Sequence, residues 1–334
     1  MSAEAILGRV RLLVTGGAGF IGSHYVRTLL ADDSSPEVVV LDKLTYAGNT
    51  ANLAPIAQSP KLHFVEGDIL DVRLVDELMA GVDAVVHFAA ESHVDRSILG
   101  AADFVMTNVV GTQTLLDAAL RHRVGKFVHV STDEVYGSIQ DGSWTEDQPV
   151  DPNSPYSASK ASSDLIALAY TRTHGLDVSV TRCSNNYGPY QFPEKVIPLF
   201  VTNLLDGGRV PLYGDGLNVR DWLHVDDHVR GLQLVLEGGR AGEVYNIGGG
   251  TELTNKKLTD LLLQACGATW DLVDNVEDRK GHDRRYSVDI GKSCAELGYS
   301  PSVPFEQGLA STVAWYRDNR SWWEPLKQRA ALAR

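Results

Sequence analysis

The feature that most constrains the fold is a regular alternation, in the first half of the chain, between short apolar runs and longer stretches with helical periodicity. The apolar runs are rich in β-branched residues, as buried parallel strands are, and helices between such strands cover both faces of a sheet. Six strands are predicted, at residues 10–15, 37–41, 62–66, 84–88, 126–131 and 178–182. The alternation therefore predicts an α/β fold with a doubly wound parallel sheet.

The predicted helices lie at residues 21–31, 72–80, 101–122 and 156–174. They are long enough for right-handed crossover connections between parallel strands. After about Tyr187 the chain changes to turns rich in Gly, Pro, Tyr and Asp between shorter helices. We therefore expect a first domain in residues 1–186 and a smaller, interleaved C-terminal lobe in residues 187–334. A segment near 222–250 is expected to return to the first domain.

Charge and cysteine content restrict the partners. The chain has 334 residues and a formal net charge of −13, without a long basic run. This charge argues against nucleic acid or an anionic membrane as a partner. Neither a basic leader nor an apolar run of about 18 residues occurs. The three cysteines, Cys183, Cys266 and Cys294, are far apart, which favours reduced thiols, a cytoplasmic location and no metal site.

A glycine-rich segment follows the first predicted strand, with glycines at positions 16, 19 and 22 at the start of the first helix. Small residues there let backbone amides and the helix N-terminus approach a pyrophosphate. Asp42 stands 20 residues beyond Gly22, at the end of the second strand, where a carboxylate accepts both ribose hydroxyls. The same carboxylate repels the 2′-phosphate of NADP. The segment therefore predicts a Rossmann dinucleotide site that binds NAD, with Lys43 as the one complicating neighbour.

Tyr156 and Lys160 are four residues apart at the start of a predicted helix, so both side chains lie on one face. The pKa of a tyrosine is ordinarily about 10, and about 4 kcal/mol of favourable interaction brings it near 7. Lys160 and a positively charged nicotinamide ring are expected to supply that interaction. Tyr156 is thus a candidate base for a sugar or alcohol hydroxyl during hydride transfer.

The glycine turn and the Tyr-x-x-x-Lys pair together resemble the extended short-chain dehydrogenase family over nearly the whole chain. The resemblance implies that Lys160 also holds the nicotinamide ribose. The implied cofactor contacts are Gly16, Gly19, Phe20, Ile21, Gly22, Asp42, Lys43, Leu44, Thr45, Gly48, Asp68, Ile69, Phe88, Ala89, Ala90, Ser92, Thr107, Tyr156, Lys160 and Asn186.

Two adjacent carboxylates, Asp133 and Glu134, follow the fifth predicted strand in the cleft where Tyr156 is expected. An ordinary acidic turn exposed to solvent is one interpretation. The other is an elimination of water, which needs a base for the proton beside a carbonyl and an acid for the departing hydroxyl. Neighbouring carboxylates that do not easily ionise together divide these two roles. The position in the cleft favours the second interpretation.

Thr132-Asp133-Glu134 is similar to the signature of the dTDP-glucose 4,6-dehydratases, and residues 42–49, 89–97 and 183–195 agree with that family. The resemblance implies a lyase with tightly bound NAD that converts dTDP-glucose to dTDP-4-keto-6-deoxyglucose and water. It implies that Tyr156 takes the C4 hydroxyl proton, Glu134 removes the C5 proton and Asp133 protonates the C6 hydroxyl. Hydride passes from C4 to NAD and returns to C6, and Thr132 binds the sugar at C4.

The same resemblance points to a set of substrate contacts and to a homodimer. Arg220 is the strongest candidate for the diphosphate, and an ion pair with Asp215 or Asp221 is its alternative. Tyr213 is expected to stack on the base. The full set is Ser92, Thr132, Asn185, Lys195, Val196, Pro211, Tyr213, Arg220, Asn255, Arg279, His282 and Tyr286. A dimer is expected through the helices at 101–122 and 161–174, which are apolar on more than one face.

Two other functions stay open at this point. A 4-epimerase or decarboxylase of the same family uses Tyr156 and Lys160 but has no need for the acid and base pair at 133 and 134. A non-catalytic NAD-binding protein would tolerate loss of Tyr156. Thymidine as the base rests on the resemblance alone, and the sequence does not decide whether the product feeds cell-surface rhamnose or a secondary metabolite.

Overall fold

The computed structural model describes residues 11–32 and 35–332. The strands within these ranges are β1 (Arg11–Thr15), β2 (Glu37–Asp42), β3 (Leu62–Glu66), β4 (Ala84–His87), β5 (Lys126–Thr132), β6 (Val178–Cys183), β7 (Asn185–Tyr187), β8 (Val210–Tyr213), β9 (Val219–His224), β10 (Val244–Ile247), β11 (Glu252–Thr254) and β12 (Val273–Val276). The helices are α1 (Phe20–Leu29), α2 (Val72–Met79), α3 (Val94–Leu99), α4 (Ala102–Phe104), α5 (Thr112–His122), α6 (Pro155–His174), α7 (Val196–Leu205), α8 (Val225–Gly238), α9 (Asn255–Cys266), α10 (Gly291–Leu297), α11 (Phe305–Asp318) and α12 (Arg320–Leu332). Short 3₁₀ turns lie at Thr50–Ile56, Asp133–Tyr136 and Trp270–Leu272, and a π-helical stretch at Val105–Gly111.

The central sheet has the strand order β10-β6-β5-β4-β1-β2-β3. Its pairs are all parallel. The order reverses between β1 and β4, and ligands of such sheets bind outside the carboxyl ends of the strands at this reversal. The predicted doubly wound parallel sheet is confirmed. The start of β1 was predicted at Val10, which lies outside the described residues.

Burial on both faces explains why these segments form strands. Val38, Val39, Val40 and Leu41 of β2 are all at most 1% exposed. Full burial of such side chains contributes about 1.5–3 kcal/mol each. One core cluster packs α1 and α8 on one face of the sheet, and a second packs α2, α5 and α6 on the other. The strand ends at the reversal are thereby fixed in position.

The helix predicted at 101–122 differs from the observed structure. It begins at Ala102 and widens into the π-helical stretch Val105–Gly111 before α5. Stretches of this kind are frequent at functional sites. Thr107 in this stretch faces a large cavity beside the sheet.

Residues after β6 add two smaller sheets, with the orders β11-β9-β7 and β12-β8. A separate apolar cluster joins α7, α9, α11 and α12 around them. β10 pairs with β6 at the edge of the central sheet. The division into domains at residues 186 and 187 remains a prediction. Within the described ranges, no helix is both long and apolar enough to cross a membrane.

Candidate active site

The glycine-rich turn between β1 and α1 forms one wall of a cavity of about 320 Å³ at the strand reversal. Gly16 has a φ of +71°, and a Cβ atom there would lie 2.6 Å from the main-chain nitrogen of Ala89. A Cβ atom on Gly22 would lie 2.4 Å from the carbonyl oxygen of Gly16. Only glycine fits these positions, and the backbone therefore lines the cavity directly at the start of α1.

Asp42 ends β2 at the rim of this cavity and is 8% exposed. Its carboxylate accepts hydrogen bonds from the main-chain N–H groups of Ala18 at 2.9 Å and Leu44 at 2.8 Å. Burial raises the pKa of Asp42, and these N–H groups oppose the increase. Lys43 forms a 2.7 Å ion pair with Asp68, so its charge already has a partner. The rim thus presents a carboxylate held by main-chain N–H groups and a lysine whose charge is paired with Asp68.

All the predicted cofactor residues except one line this cavity. They are Gly16, Gly19, Phe20, Ile21, Gly22, Asp42, Lys43, Thr45, Gly48, Asp68, Ile69, Phe88, Ala89, Ala90, Ser92, Thr107, Tyr156, Lys160 and Asn186. Leu44 is the exception, and its N–H group positions the Asp42 carboxylate instead. A glycine cradle at a helix N-terminus, with a buried carboxylate beyond it, fits an adenine dinucleotide.

Tyr156 lies in the first turn of α6, which the sequence specifies locally. Ser154 caps the helix by accepting a hydrogen bond from the Ser157 N–H group, and Pro155 occupies its first position. Both Tyr156 and Lys160 line the cavity from this helix, and they are 8% and 4% exposed. The helix start therefore brings the tyrosine and the lysine to the inner end of the dinucleotide cavity.

Burial dominates the electrostatics of this pair. Burial and the nearby Glu134 raise the pKa of Tyr156 well above its usual value. The Lys160 ammonium donates a 2.8 Å hydrogen bond to the carbonyl oxygen of Val130. Burial also lowers the pKa of Lys160 to about 8. The two side chains share the cavity, and the lowering of the Tyr156 pKa by Lys160 together with a nicotinamide ring stays a prediction.

Asp133 and Glu134 form a 3₁₀ turn at the end of β5, capped by the Thr132 hydroxyl, which accepts a hydrogen bond from the Glu134 N–H group. Asp133 is 2% exposed, and its Oδ2 atom has no hydrogen-bond partner within the described chain. Burial, Glu134 and Asp221 raise the pKa of Asp133 well above its usual value. Glu134 is half-buried and accepts a 3.2 Å hydrogen bond from Ser157. The pair thus combines a carboxyl group that favours its protonated form with a more accessible partner.

A second cavity, of about 460 Å³, adjoins the first. Both are lined by Glu134, Asn185, Asn186 and Lys195. The predicted substrate residues on its wall are Asn185, Lys195, Val196, Pro211, Tyr213, Arg220, Asn255, Arg279 and His282, while Ser92 and Thr132 line the first cavity. Glu134 therefore stands where a dinucleotide cavity meets a second binding cavity.

Arg220 is buried in the wall of the second cavity, at 5% exposure. It donates hydrogen bonds to the carbonyl oxygens of Val219 and Asp283, and Asp215 pairs with Arg284 instead. The alternative of a surface ion pair was therefore wrong. Tyr286 was expected to contact the substrate but does not line either cavity. The centre of its ring lies 4.2 Å from the Arg220 guanidinium carbon, so the ring supports that side chain. Arg220 therefore places a buried positive charge in the cavity wall, held by two carbonyl oxygens and the Tyr286 ring.

Some residues of the site had not been assigned a role from the sequence. Glu194 lines both cavities and contacts Arg96 at 3.3 Å and His93 at 3.7 Å. Asn108 is buried and joins the main chain of Glu91 to Ser159 of α6. Glu194 belongs to the segment 183–195 that agrees with the family, whereas Asn108 belongs to no motif and its partners are distant along the chain. Among the described residues, no acidic, histidine or cysteine cluster suits a metal ion.

The parallel sheet, the glycine cradle and the Tyr-Lys pair define a dinucleotide-dependent enzyme of the extended short-chain dehydrogenase type. The family model described as GDP-mannose 4,6 dehydratase matches residues 13–312. A dTDP-glucose 4,6-dehydratase from Streptomyces antibioticus is 68% identical, over 96% of this chain and 97% of that protein. The chain therefore belongs to the dTDP-glucose 4,6-dehydratase family.

Solved structures agree with this assignment. DesIV, a dTDP-glucose 4,6-dehydratase from Streptomyces venezuelae with NAD and dTDP bound, has a TM-score of 0.94 and 68% sequence identity. The match covers 95% of this chain and 100% of that structure. A UDP-glucose 4-epimerase from Thermotoga maritima has a TM-score of 0.86 at 34% identity, over 93% of this chain and 100% of its own. The higher identity is with the dehydratases.

Proposed function

We propose that this protein converts dTDP-glucose to dTDP-4-keto-6-deoxyglucose and water, with NAD as its cofactor. The observation that carries the proposal is the carboxyl pair at the junction of the two cavities. Asp133 is buried with a raised pKa, and Glu134 lines both cavities. A dehydration needs one proton donor and one proton acceptor at adjacent carbons, and this pair provides them. A 4-epimerase has no use for either.

The first step is oxidation at C4, in which Tyr156 accepts the proton of the C4 hydroxyl. The glycine turn and Asp42 would hold NAD, and the bound cofactor would supply the redox chemistry as hydride acceptor and donor. Tyr156 acts as a base only when its pKa falls, and the positive charges of the nicotinamide ring and of Lys160 favour the phenolate. Thr132 lines the same cavity as Tyr156 and orients the sugar at C4.

The second step eliminates water across C5 and C6. The C4 ketone acidifies the C5 proton, which Glu134 removes as the electron pair forms the C5–C6 double bond. The C6 hydroxyl leaves with the proton of Asp133. Asp133 holds that proton because burial and the adjacent Glu134 raise its pKa. In the last step C6 is reduced and Glu134 returns its proton to C5, so the sugar loses one water with no net reduction.

The second cavity holds the nucleotide part of the substrate in this proposal. Arg220, Lys195 and Arg279 line it and bring positive charge toward a diphosphate. Burial lowers the pKa of Lys195, and the carboxylate of Glu194 opposes that effect. Tyr213 is 37% exposed on the cavity wall, where its ring is available to stack on a base. These contacts provide local positive charge despite the net charge of −13.

Labelled substrate tests the proposed function directly. The purified protein is incubated, without added cofactor, with dTDP-glucose that carries deuterium at C4, and the product is examined by mass spectrometry and NMR. We expect loss of one water and recovery of the deuterium at C6, because the same nicotinamide accepts and returns the label. A product of unchanged mass with the galacto configuration contradicts the proposal and indicates an epimerase.

We also propose that the protein is a homodimer through the outer face of α6 and the π-helical stretch beside it. Val105 and Met106 are each 47% exposed and Leu165 is 54% exposed. The three apolar side chains lie on packed neighbouring segments. Leu115, Leu116 and Ala119 of α5 are buried against the sheet. A cytoplasmic location is a separate proposal, which the three free cysteines support because thiols stay reduced in the cytoplasm.

A charge on this face is expected to separate the dimer. In the Leu165→Glu variant, two carboxylates per dimer would enter an apolar interface without partners, which is unfavourable. We expect sedimentation velocity at micromolar concentration to give a dimer for the parent and a monomer for the variant. Leu217→Glu, at a similarly exposed leucine outside this face, is the control and should remain a dimer. A monomeric parent contradicts the proposal.

A further inference from the structure

The last helix, α12, packs against the loop that follows Asp42 as well as against its own lobe. Leu326 and Ala330 of α12 are buried in one apolar cluster with Phe192, and Tyr46 and Ala47 of the loop pack against that cluster. Ala47 and Phe192 also line the dinucleotide cavity. The outer wall of this cavity is therefore supported from behind by the C-terminal helix.

A chain of hydrogen bonds runs from α12 into the glycine turn. The indole N–H of Trp322 donates to the side-chain oxygen of Asn52 at 3.0 Å. The amide of Asn52 donates to the carbonyl oxygen of Ala18 at 2.9 Å, and the Ala18 N–H group donates to Asp42 at 2.9 Å. Asn52 is 1% exposed; its bond to Ala18 and the bond from Ala18 to Asp42 are buried, and the bond from Trp322 is partly buried. The carboxylate that faces the ribose is thus connected to the C-terminal helix in three bonds.

A second set of contacts reinforces the same junction. Arg27 of α1 donates a 2.6 Å hydrogen bond to the main-chain oxygen of Asn52, and its guanidinium carbon lies 4.2 Å from the ring centre of Tyr190. The Tyr190 ring in turn contacts Trp315 and Trp322, with centroid distances of 4.5 and 5.5 Å. Two routes, both of which begin at Trp322, therefore join α12 to the glycine turn and to α1.

We propose that α12 is a latch on the cofactor site, in which Trp322 acts through Asn52 to hold the glycine turn and Asp42 in place and so slows the release of NAD. Trp322 and Asn52 are positioning residues, since neither lines the dinucleotide cavity. The reaction proposed above leaves NAD oxidised after every turnover, so slow release does not limit the rate. The inference rests on that cofactor site.

The test measures the exchange of bound NAD for isotopically labelled NAD, followed over time by native mass spectrometry on the holoenzyme. Trp322→Phe keeps an aromatic ring but removes the donor to Asn52. We expect it to exchange NAD about tenfold faster, equivalent to about 1.4 kcal/mol. Asn52→Ala should accelerate exchange similarly. Because both remove the same connection, the double variant should exchange no faster than the faster single variant.

Trp323→Phe is the matched control, because the Trp323 indole donates to the Tyr316 carbonyl within the C-terminal lobe. It should exchange NAD at the parent rate, and the thermal midpoint of each variant reports any general loss of stability. The latch is overturned if Trp322→Phe exchanges NAD at the parent rate or if Trp323→Phe accelerates exchange equally. It is also overturned if the acceleration in the double variant is the product of the accelerations in Trp322→Phe and Asn52→Ala. Exchange needs no turnover, so parent turnover of dTDP-glucose tests the proposed function separately.

Discussion

The Tyr156→Phe variant is expected to lose about 10²–10⁴-fold in kcat, because proton transfer by a positioned side chain contributes an effect of this size. Without the phenol oxygen, nothing at the inner end of the cavity accepts the C4 hydroxyl proton as hydride leaves. Oxidation is then the step that fails, so the cofactor should stay oxidised when dTDP-glucose is added. Product formation by NMR and the near-ultraviolet absorbance of bound NADH measure the two effects together.

Tyr299→Phe is a suitable control for this prediction. Tyr299 is 1% exposed and its hydroxyl donates to the carbonyl oxygen of Gly248, away from both cavities. The control removes an equally buried hydroxyl and should keep the parent kcat. If Tyr156→Phe turned over at close to the parent rate, another base would have to remove the C4 proton, and a non-catalytic NAD-binding role would become the better account of the Tyr-Lys pair.

The pH dependence of this step follows from the direction of the pKa shifts. Burial and the nearby Glu134 raise the pKa of the Tyr156 phenol. Lys160 loses its charge as the pH rises through its pKa of about 8. Binding of the positively charged cofactor lowers the pKa of the phenol in the proposed mechanism. The oxidation step therefore depends on the assembled complex rather than on the tyrosine alone.

The sequence predicts the dinucleotide site well because its determinants are local. Gly16 and Gly22 are required by backbone approaches within the β1–α1 turn, and Asp42 follows at the end of the next strand. A parallel strand followed by a helix leaves little freedom in where these residues lie. Leu44, which was also expected to contact the cofactor, does not line the cavity, and its N–H group donates to the Asp42 carboxylate.

Features that depend on tertiary packing were not accessible in the same way. Trp322 and Asn52 are separated by 270 positions, and neither belongs to a recognisable motif. The sequence places Lys160 beside Tyr156 but does not reveal that its ammonium donates to the Val130 carbonyl. The pKa of a buried group depends on every charge around it, and residue spacing alone does not specify that arrangement.

The Glu134→Gln variant is expected to separate oxidation from elimination. Tyr156 stays in place, and the variant removes one charge that raises its pKa, so C4 should still be oxidised, but the C5 proton has no base. We expect NADH to accumulate on the enzyme after dTDP-glucose is added, while formation of the 4-keto-6-deoxy product falls about 10²–10⁴-fold. Rapid mixing with absorbance detection follows the cofactor, and NMR follows the product.

Asp133→Asn should give the same reduced-cofactor state for a different reason, because the C6 hydroxyl then lacks a proton donor. Glu306→Gln, at an exposed glutamate of α11 that lines neither cavity, is the control for the charge change and should react normally. Normal turnover by Glu134→Gln would disprove the assignment of the base. Loss of NADH formation in Glu134→Gln would instead place Glu134 in the oxidation step. We expect NADH to accumulate in Glu134→Gln and Asp133→Asn but not in Tyr156→Phe. That result would assign the oxidation to the phenol and the elimination to the carboxyl pair, as proposed.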